Sequence, residues 1–220
     1  MNFEETMSRL SSLGSEKGRE INARNGAGEN QFGVKMGDIR ALAKEIKLNP
    51  ELAPELWASE NFDARMLATL LMKPNQLSVQ EVEALLFSAR STQLVDWLGT
   101  NVIKPRRDKE SVREIWMNSS DEMTARMGWS LTAERIIKEP VGLDLPGLLD
   151  QIEAEMGSAP KASQWTMNYC LAEIGIHFAE HRARAIAIAE KIGAFKDWPT
   201  SKGCTSPYAP IWIAAMVGRA

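Results

Sequence analysis

The sequence predicts an all-α protein built from antiparallel helix pairs, and three observations support that prediction. Apolar residues recur at the three- and four-residue spacing of amphipathic helices along almost the whole chain. Glycine, proline and capping residues fall between these segments, where helices begin and end. The links are short and leave no room for strands. We therefore expect roughly ten to twelve helices of ordinary globular length.

In the first half of the chain, these signals delimit six predicted helices. Phe3, Met7 and Leu10 form the apolar stripe of the first, and a Gly/Asn-rich segment separates it from the second. Pro74 ends the fourth helix, and Ser78 with Glu81 forms a capping box for the fifth. The predicted ranges are 3–13, 32–47, 52–57, 61–73, 79–89 and 92–105.

The second half continues in the same way. Asp108 precedes one predicted helix, Ser120 or Asp121 begins the next, and Pro140 closes it. The predicted ranges are 109–118, 122–138, 145–156, 161–179 and 181–193. The remaining tail reads as a loop followed by one apolar turn or helix.

Short links between consecutive helices favour antiparallel pairs that stack on one another. That arrangement is typical of a HEAT-like helical-repeat solenoid, in which a pair buries its apolar face only against its neighbours. The repeat is not visible as self-similarity, so a compact irregular bundle is the competing architecture. We expect a single HEAT-like domain over residues 1–220, with an atypical C-terminal tail at about 194–220.

Composition and charge restrict the possible functions. The chain is 44% hydrophobic and 25% charged, which is typical of a soluble globular protein. No apolar run approaches the roughly 20 residues of a membrane-spanning helix, and the acidic N-terminus is unlike a signal peptide. We therefore expect a cytoplasmic protein without a membrane partner. A net charge of −3 gives no general attraction to nucleic acid, so DNA binding would need a local basic surface.

Metal-binding residues are sparse. Cys170 and Cys204 lie far apart and lack the clustered partners of a zinc site. His177 and His181 stand four residues apart and could hold a metal if they faced inward, although a solvated helix face is the favoured interpretation. The sequence suggests no chemistry for the Cys204 segment, SKGCTSPYAPIWI. We interpret its cysteine as a structural thiol or as a residue that holds the loop in place.

One carboxylate stands out in an otherwise uncharged run. Asp96 lies in STQLVDWLGTNVI, and helical spacing places it on a small, polar stripe with positions 92, 93, 99, 100 and 103. Apolar residues cover the other faces, so we expect a mostly buried helix with Asp96 opening onto a groove or a neighbouring helix. The simplest interpretation is a structural aspartate; a functional one needs further support.

That support is a family resemblance carried by several segments in order. The chain resembles the DNA alkylation repair family of HEAT-like DNA glycosylases, the AlkD-like proteins. The matching segments are FGVKMGDIRALAKEI (32–46), WASENFDARMLATLLM (57–72), TQLVDWLG (92–99), ARMGWSLTAER (125–135) and QWTMNYCLAEIG (164–175).

The resemblance implies a catalytic role for Asp96. In that family a Trp-Asp-x-x-Asp stretch ends in the catalytic aspartate, and its register here gives Thr92, Gln93, Leu94, Val95 and Asp96. The aspartate is kept, whereas the tryptophan is replaced by Thr92 and the first aspartate by Gln93. Thr92 and Gln93 are accordingly expected beside the DNA.

Three further positions follow from the same resemblance. The family's arginine falls on Arg126, where it would hold a phosphate; an ion pair with Glu122 is the structural alternative. Its second tryptophan falls on Tyr169, with Trp165 where the family has a lysine. Trp165 and Tyr169 are therefore expected to face the lesion.

The implied activity is hydrolysis of the N-glycosidic bond of cationic alkylpurines, such as 3-methyladenine and 7-methylguanine, in duplex DNA. A carboxylate stabilises the oxocarbenium-like transition state, and aromatic faces hold the cationic base. The resemblance implies no metal, no cofactor, and recognition of the lesion through the DNA backbone without a deep base pocket; we also expect a monomer. The alternative is a non-catalytic HEAT-like scaffold that binds DNA or a protein, which the loss of the tryptophan at Thr92 favours.

Overall fold

The computed structural model describes residues 1–218, so the last two residues of the predicted C-terminal tail lie outside the described residues. Within them the structure has thirteen α-helices and no strand, which confirms the all-α prediction. The helices are α1 Phe3–Leu13, α2 Glu16–Arg24, α3 Met36–Ile46, α4 Leu52–Ala58, α5 Phe62–Leu71, α6 Val79–Ser88, α7 Thr92–Leu98, α8 Lys109–Met117, α9 Glu122–Lys138, α10 Leu145–Glu155, α11 Lys161–His177, α12 Ala179–Ile192 and α13 Ala209–Val217. None of these helices is long and apolar enough to span a bilayer.

Capping residues fix where several helices begin. The capping box of α6 is confirmed, since the Ser78 side chain accepts from the Glu81 amide and the Glu81 side chain accepts from the Ser78 amide. Asp121 begins α9, because its side chain accepts from the amide of Thr124 at 2.8 Å. The alternative start at Ser120 is therefore wrong.

Helix α2 is the element that periodicity did not predict. Ser15 caps it by accepting from the Gly18 amide, but its sequence, EKGREINAR, contains hardly any apolar residues. Ile21 is exposed, and Asn22 is the buried residue of the helix. The expected total of ten to twelve helices is thus too low, because capping and charge pairing form this helix without an apolar stripe.

The described chain groups into two compact units, Met1–Lys109 and Glu110–Ala220, the second described to residue 218. In the first unit α5 is central and packs against α3, α4 and α7. Its buried face includes Met66, Leu67 and Leu71, which explains why this segment is apolar on nearly all sides. The single-domain description of residues 1–220 stays a prediction.

A buried aspartate fixes the segment that leads into α3. The fully buried carboxylate of Asp63 accepts hydrogen bonds from three consecutive backbone amides: Phe32 at 2.6 Å, Gly33 at 3.1 Å and Val34 at 2.9 Å. Gly33 adopts a φ of +78°, a conformation that favours glycine and lets the three N–H groups converge. Asp63 therefore ties this loop to the first turn of α5.

In the second unit α11 is the central helix and packs against α9, α12 and α13. The buried apolar side chains of α11 include Met167, Leu171 and Ile174, and they meet Trp129 and Ile136 of α9 in one core. Cys170 also lies in this core, where its thiol donates to the carbonyl of Trp129 at 3.1 Å.

The C-terminal tail packs onto α11 through a specific contact. The buried Asn168 side chain donates from Nδ2 to the carbonyl of Pro207 at 2.9 Å, just before α13 begins. Ile213 of α13 is buried against Gly175, whose missing side chain leaves room for it. The expected loop followed by an apolar helix is confirmed for the described part of the tail.

Candidate functional site

Helix α7, which carries Asp96, is held by its apolar faces. Leu94, Val95 and Leu98 are buried, and the indole nitrogen of Trp97 donates to the carbonyl of Met66 in α5 at 3.0 Å. The guanidinium of Arg40 lies 4.5 Å from the centre of the same indole ring. These contacts fix the rotation of α7 and thereby the direction in which Asp96 points.

Asp96 is exposed on this helix, whereas Thr92 and Gln93 are half-buried. Thr92 and Gln93 lie one turn before Asp96 on the same side of α7, so the structure brings the three residues together as expected. The side-chain oxygen of Gln93 is buried and accepts no hydrogen bond from any described residue. A hydrogen-bond acceptor therefore stands unsatisfied one turn before the exposed carboxylate.

The helix does not continue regularly beyond Leu98. Residues Gly99–Ile103 form a π-helical turn, in which the amide of Lys104 donates to the carbonyl of Gly99 at 2.8 Å. Gly99 and Ile103 are buried. Gly99 keeps its place one turn after Asp96, since its amide donates to the carbonyl of Val95, but the wider turn changes the register of Ile103. The predicted polar stripe is therefore wrong at position 103.

Side chains of the π turn support the end of α7. The Thr100 hydroxyl donates to the carbonyl of Asp96 at 2.9 Å, and the Asn101 amide donates to the carbonyl of Trp97 at 2.8 Å. Both carbonyls lie where the α-helical hydrogen-bond pattern changes. The exposed Asp96 thus stands on a backbone that is held by side-chain hydrogen bonds.

Arg126 of α9 is almost completely buried, with 6% of its surface exposed. Its Nη1 donates to the carbonyl of Ala162 at 2.7 Å, in the first turn of α11. A carbonyl in the first turn of a helix is ordinarily used within that helix, so this contact ties α9 directly to α11. That Arg126 contacts a DNA phosphate stays a prediction.

Trp165 and Tyr169 lie one turn apart on α11, followed at the same spacing by Glu173 and His177. The Tyr169 ring stacks on Trp212 of α13 with centroids 5.4 Å apart and an interplanar angle of 22°. Burial raises the pKa of Tyr169 to about 12, and the neighbouring Glu173 carboxylate adds to this shift. One face of the tyrosine ring is therefore occupied within the protein.

Glu173 and His177 contact each other at the end of the same row. The Nε2 atom of His177 lies 3.0 Å from a carboxylate oxygen of Glu173. Burial raises the pKa of Glu173, while His177 and a hydrogen bond with Tyr169 oppose the shift. His177 ends α11 and His181 lies in α12, so the two histidines stand on separate helices, as the predicted ranges 161–179 and 181–193 had them.

An aromatic cluster surrounds Trp165. The ring centroid of Trp165 lies 5.2 Å from that of Phe195 and 5.5 Å from that of Trp198, and the latter two rings are 5.6 Å apart. Sequence reasoning assigned no role to Phe195 or Trp198. Their nearness to each other in the sequence was a usable signal, but their packing on Trp165 depends on the fold.

Two basic side chains, Arg106 and Arg65, are held by hydrogen bonds inside the protein and do not add to a basic surface. Arg106 is buried and donates to the carbonyls of Pro74 and Leu77 at 2.8 and 2.7 Å, besides pairing with Asp108. Arg65 donates to the carbonyls of Trp57 and Ser88, and burial lowers its pKa. Basic side chains that remain exposed include Lys35, Arg40 and Arg107 in the first unit and Lys161 and Lys202 in the second.

Four other tryptophans belong to the core. Trp57, Trp97, Trp116 and Trp129 are all buried, with between 1% and 8% of their surfaces exposed. The two cysteines differ in burial. Cys170 is buried, and burial raises the pKa of its thiol, whereas Cys204 is exposed in the tail.

Comparison with known proteins agrees with the resemblance seen in the sequence. The uncharacterized protein Lin0241 of Listeria innocua is 27% identical over 192 residues, covering 86% of this chain and 84% of the relative. The uncharacterized protein Lmo0209 of Listeria monocytogenes is 26% identical over 192 residues and is likewise covered to 84%, with 86% of this chain. Neither name assigns a function.

A solved structure is also similar, with a TM-score of 0.76 and 27% identity over 87% of this chain and 83% of that one. It is described as a new family of proteins related to the HEAT-like repeat DNA glycosylases with affinity for branched DNA structures. This likeness confirms the HEAT-like fold prediction over the irregular bundle. The sequence model of the DNA alkylation repair enzyme family matches residues 6–211, and the chain therefore belongs to that family.

Proposed function

We propose that this protein binds DNA and hydrolyses the N-glycosidic bond of positively charged alkylpurines, with Asp96 as the catalytic carboxylate. The observation that carries the proposal is the exposed carboxylate of Asp96 on a helix whose other faces are buried. The unsatisfied oxygen of Gln93 lies one turn before it on the same side. Family membership supports a role in DNA repair, and the resemblance in the sequence puts Asp96 at the position of the family's catalytic aspartate.

The chemistry needs little beyond one ionised carboxylate. An alkylated purine carries a positive charge, so its glycosidic bond is already weakened and breaks through an oxocarbenium-like transition state. A carboxylate held near the sugar stabilises the developing positive charge and orients the attacking water. The Gln93 oxygen is buried, so orienting the water falls to the exposed Asp96 carboxylate, and the proposed reaction needs no metal or cofactor.

DNA binding is proposed to depend on the exposed basic side chains. Lys35, Arg40 and Arg107 provide positive charge in the unit that contains Asp96. Arg126 is better suited to a positioning role, since its guanidinium is buried and hydrogen-bonded to the first turn of α11. In that role it fixes the helix that carries Trp165 and Tyr169.

A second function is favoured by specific observations. Thr92 offers no ring to a cationic base, and one face of Tyr169 is covered by Trp212. The similar solved structure is described as having affinity for branched DNA structures. A protein that binds branched DNA without base excision is therefore the competing proposal.

Release of methylated bases separates the two proposals. Duplex DNA carrying radiolabelled methyl groups is incubated with the protein, and free 3-methyladenine and 7-methylguanine are measured by chromatography. We expect wild type to release them and Asp96→Asn to be slower by about 10²- to 10³-fold, since the amide lacks the charge that stabilises the transition state. Duplex affinity should be unchanged or slightly higher, because a negative charge facing phosphates is removed.

Asp38→Asn is the matched control, because it removes one carboxylate from the first turn of α3 in the same unit. It should release bases at the wild-type rate, and thermal unfolding must show that both variants are folded. If wild type binds duplex or branched DNA but releases neither base, excision is wrong and the non-catalytic proposal takes its place. If it binds neither DNA, both proposals fail.

A further inference from the structure

The C-terminal tail and α11 form an open, shallow pocket that the proposed reaction does not use. Its volume is about 390 Å³, and its walls are largely apolar. Three indole rings line it: Trp165 from α11, Trp198 from the loop after α12, and Trp212 from α13. The hydroxyl groups of Thr200 and Thr205 and the thiol of Cys204 add polar atoms to its lining.

The pocket is continuous with the aromatic residues of the candidate site. Trp165 lies one turn before Tyr169, and Trp212 stacks directly on the Tyr169 ring. Asn168, between them in the sequence, anchors the opposite wall by donating to the carbonyl of Pro207, which also lines the pocket. The tail is therefore held in place around a preformed cavity.

We propose that this pocket takes an unpaired nucleobase of DNA, which stacks on the indole of Trp198. The inference rests on the proposed DNA binding but is independent of base excision. It names the feature of DNA that the second unit recognises: a base that is not paired, as found at a bulge or a branch point. Asp96, in the other unit, has no part in it.

Size and chemistry favour a base over other occupants. The volume is at the lower end of the range for small-molecule sites, about 300 to 1,000 Å³, which suits one flat ring system better than a helix of a protein partner. Indole faces bind every nucleobase by stacking, and hydroxyl groups can bond to the base edges. None of the described lining residues is acidic, and the exposed Lys202 lies within the lining segment. Just before that segment, the exposed Lys196 and Asp197 carry opposite charges, so Lys202 is the cation nearest in sequence to the lining that can attract a phosphate.

Trp198 is the residue of choice for a test, because 49% of its surface is exposed and it is not one of the buried core residues, although it also packs on Trp165 and Phe195. The probes are a fluorescein-labelled linear duplex and the same duplex with one unpaired adenine bulged from one strand. We expect wild type to prefer the bulged duplex. Trp198→Ala should weaken binding to the bulged duplex about 5- to 150-fold, which corresponds to the loss of one base–aromatic stack, and should leave linear duplex binding unchanged.

Two control variants make this experiment specific. Trp198→Phe keeps a flat ring and should retain most of the preference for the bulge. Ile115→Ala removes an exposed apolar side chain from α8 in the same unit, outside the pocket lining, and should behave as wild type. The pocket assignment is overturned if Trp198→Ala binds the bulged duplex as wild type does, or if it loses affinity for both duplexes equally. Binding of wild type to both duplexes without preference also overturns it, whereas failure to bind either overturns the proposed function as well.

Cys204 provides an independent readout inside the pocket. It is exposed, whereas Cys170 is buried, so N-ethylmaleimide should modify Cys204 selectively in the folded protein. Saturating bulged duplex should slow this modification, followed by peptide mass spectrometry, and linear duplex should not. Equal reactivity with and without bulged duplex contradicts the proposal. Protection that appears without DNA and rises with protein concentration would instead place a second copy of the chain in the pocket, and the proposal would be wrong.

Discussion

Asp63→Asn tests whether one buried carboxylate holds the loop before α3. In the wild type, one carboxylate oxygen accepts from Phe32 and Gly33 and the other from Val34. An asparagine keeps one acceptor oxygen, but its NH₂ group meets the third N–H, so a buried donor loses its partner. That loss costs about 1–3 kcal/mol, and the two remaining bonds lose the charge that strengthened them, about 1 kcal/mol each.

Relief from burying a charge offsets part of this loss, so we expect a net destabilisation of roughly 2–4 kcal/mol. For a chain of this size that corresponds to a decrease in melting temperature of about 5–15 °C. The assay is thermal unfolding by circular dichroism, combined with hydrogen exchange of the Phe32, Gly33 and Val34 amides. The local amides should lose protection together with global stability.

Asp38→Asn is the control for charge removal alone. Its carboxylate lies in the first turn of α3, where it interacts with the helix dipole, and its removal should cost less than about 1 kcal/mol. If Asp63→Asn melts at the wild-type temperature and the Val34 amide keeps its protection, the three hydrogen bonds do not stabilise the loop and the reasoning is refuted.

Two further predictions concern packing and pH dependence. A Cβ added at Gly128 would lie within 2.2–2.7 Å of backbone atoms of α8, so Gly128→Ala should destabilise the protein by about 1–3 kcal/mol in urea unfolding. Gly37 has open space around it, so Gly37→Ala should not destabilise the protein. Equal effects of the two substitutions would contradict the packing argument. Because the pKa of Tyr169 is raised to about 12, its contribution to stability is present below the unfolded pKa of about 10 and is lost as pH rises to about 12. A tyrosinate absorbance titration should show one of the two tyrosines ionising near pH 12, and Tyr169→Phe should remove that step and leave Tyr208; a step that persists would refute the assignment.

The helices with apolar stripes could be predicted from the sequence because periodicity alone specifies them. Helix α2 could not, since Ile21 is exposed and its cap is a single serine. The π turn after α7 was also hidden, because the residues on both sides of it are apolar and satisfy either register. Apolar periodicity indicates which residues are buried, and it does not distinguish an α-helical turn from a π-helical one.

At the candidate site the sequence could name candidate residues, but it could not predict which groups contact them. Thr92, Gln93 and Asp96 share one side of α7 as expected, since that relation is local. The surroundings of Arg126 depend on a carbonyl 36 residues away, and the stacking of Tyr169 depends on Trp212 in the tail. A basic residue type predicts a surface position, and only the fold shows that Arg126 and Arg106 are buried against backbone carbonyls.

The π turn at Gly99–Ile103 has a consequence for comparing this chain with its relatives. Such a turn accommodates one residue more than the α-helical turn it replaces, as a single-residue insertion does. Leu98 before it and Val102 after it both remain buried, so the extra residue is absorbed without exposing the core. A relative whose helix is α-helical throughout would therefore need a one-residue gap here. If the two chains were aligned without that gap, residues up to Asp96 would be matched correctly. Residues after the π turn would be matched to positions displaced by one.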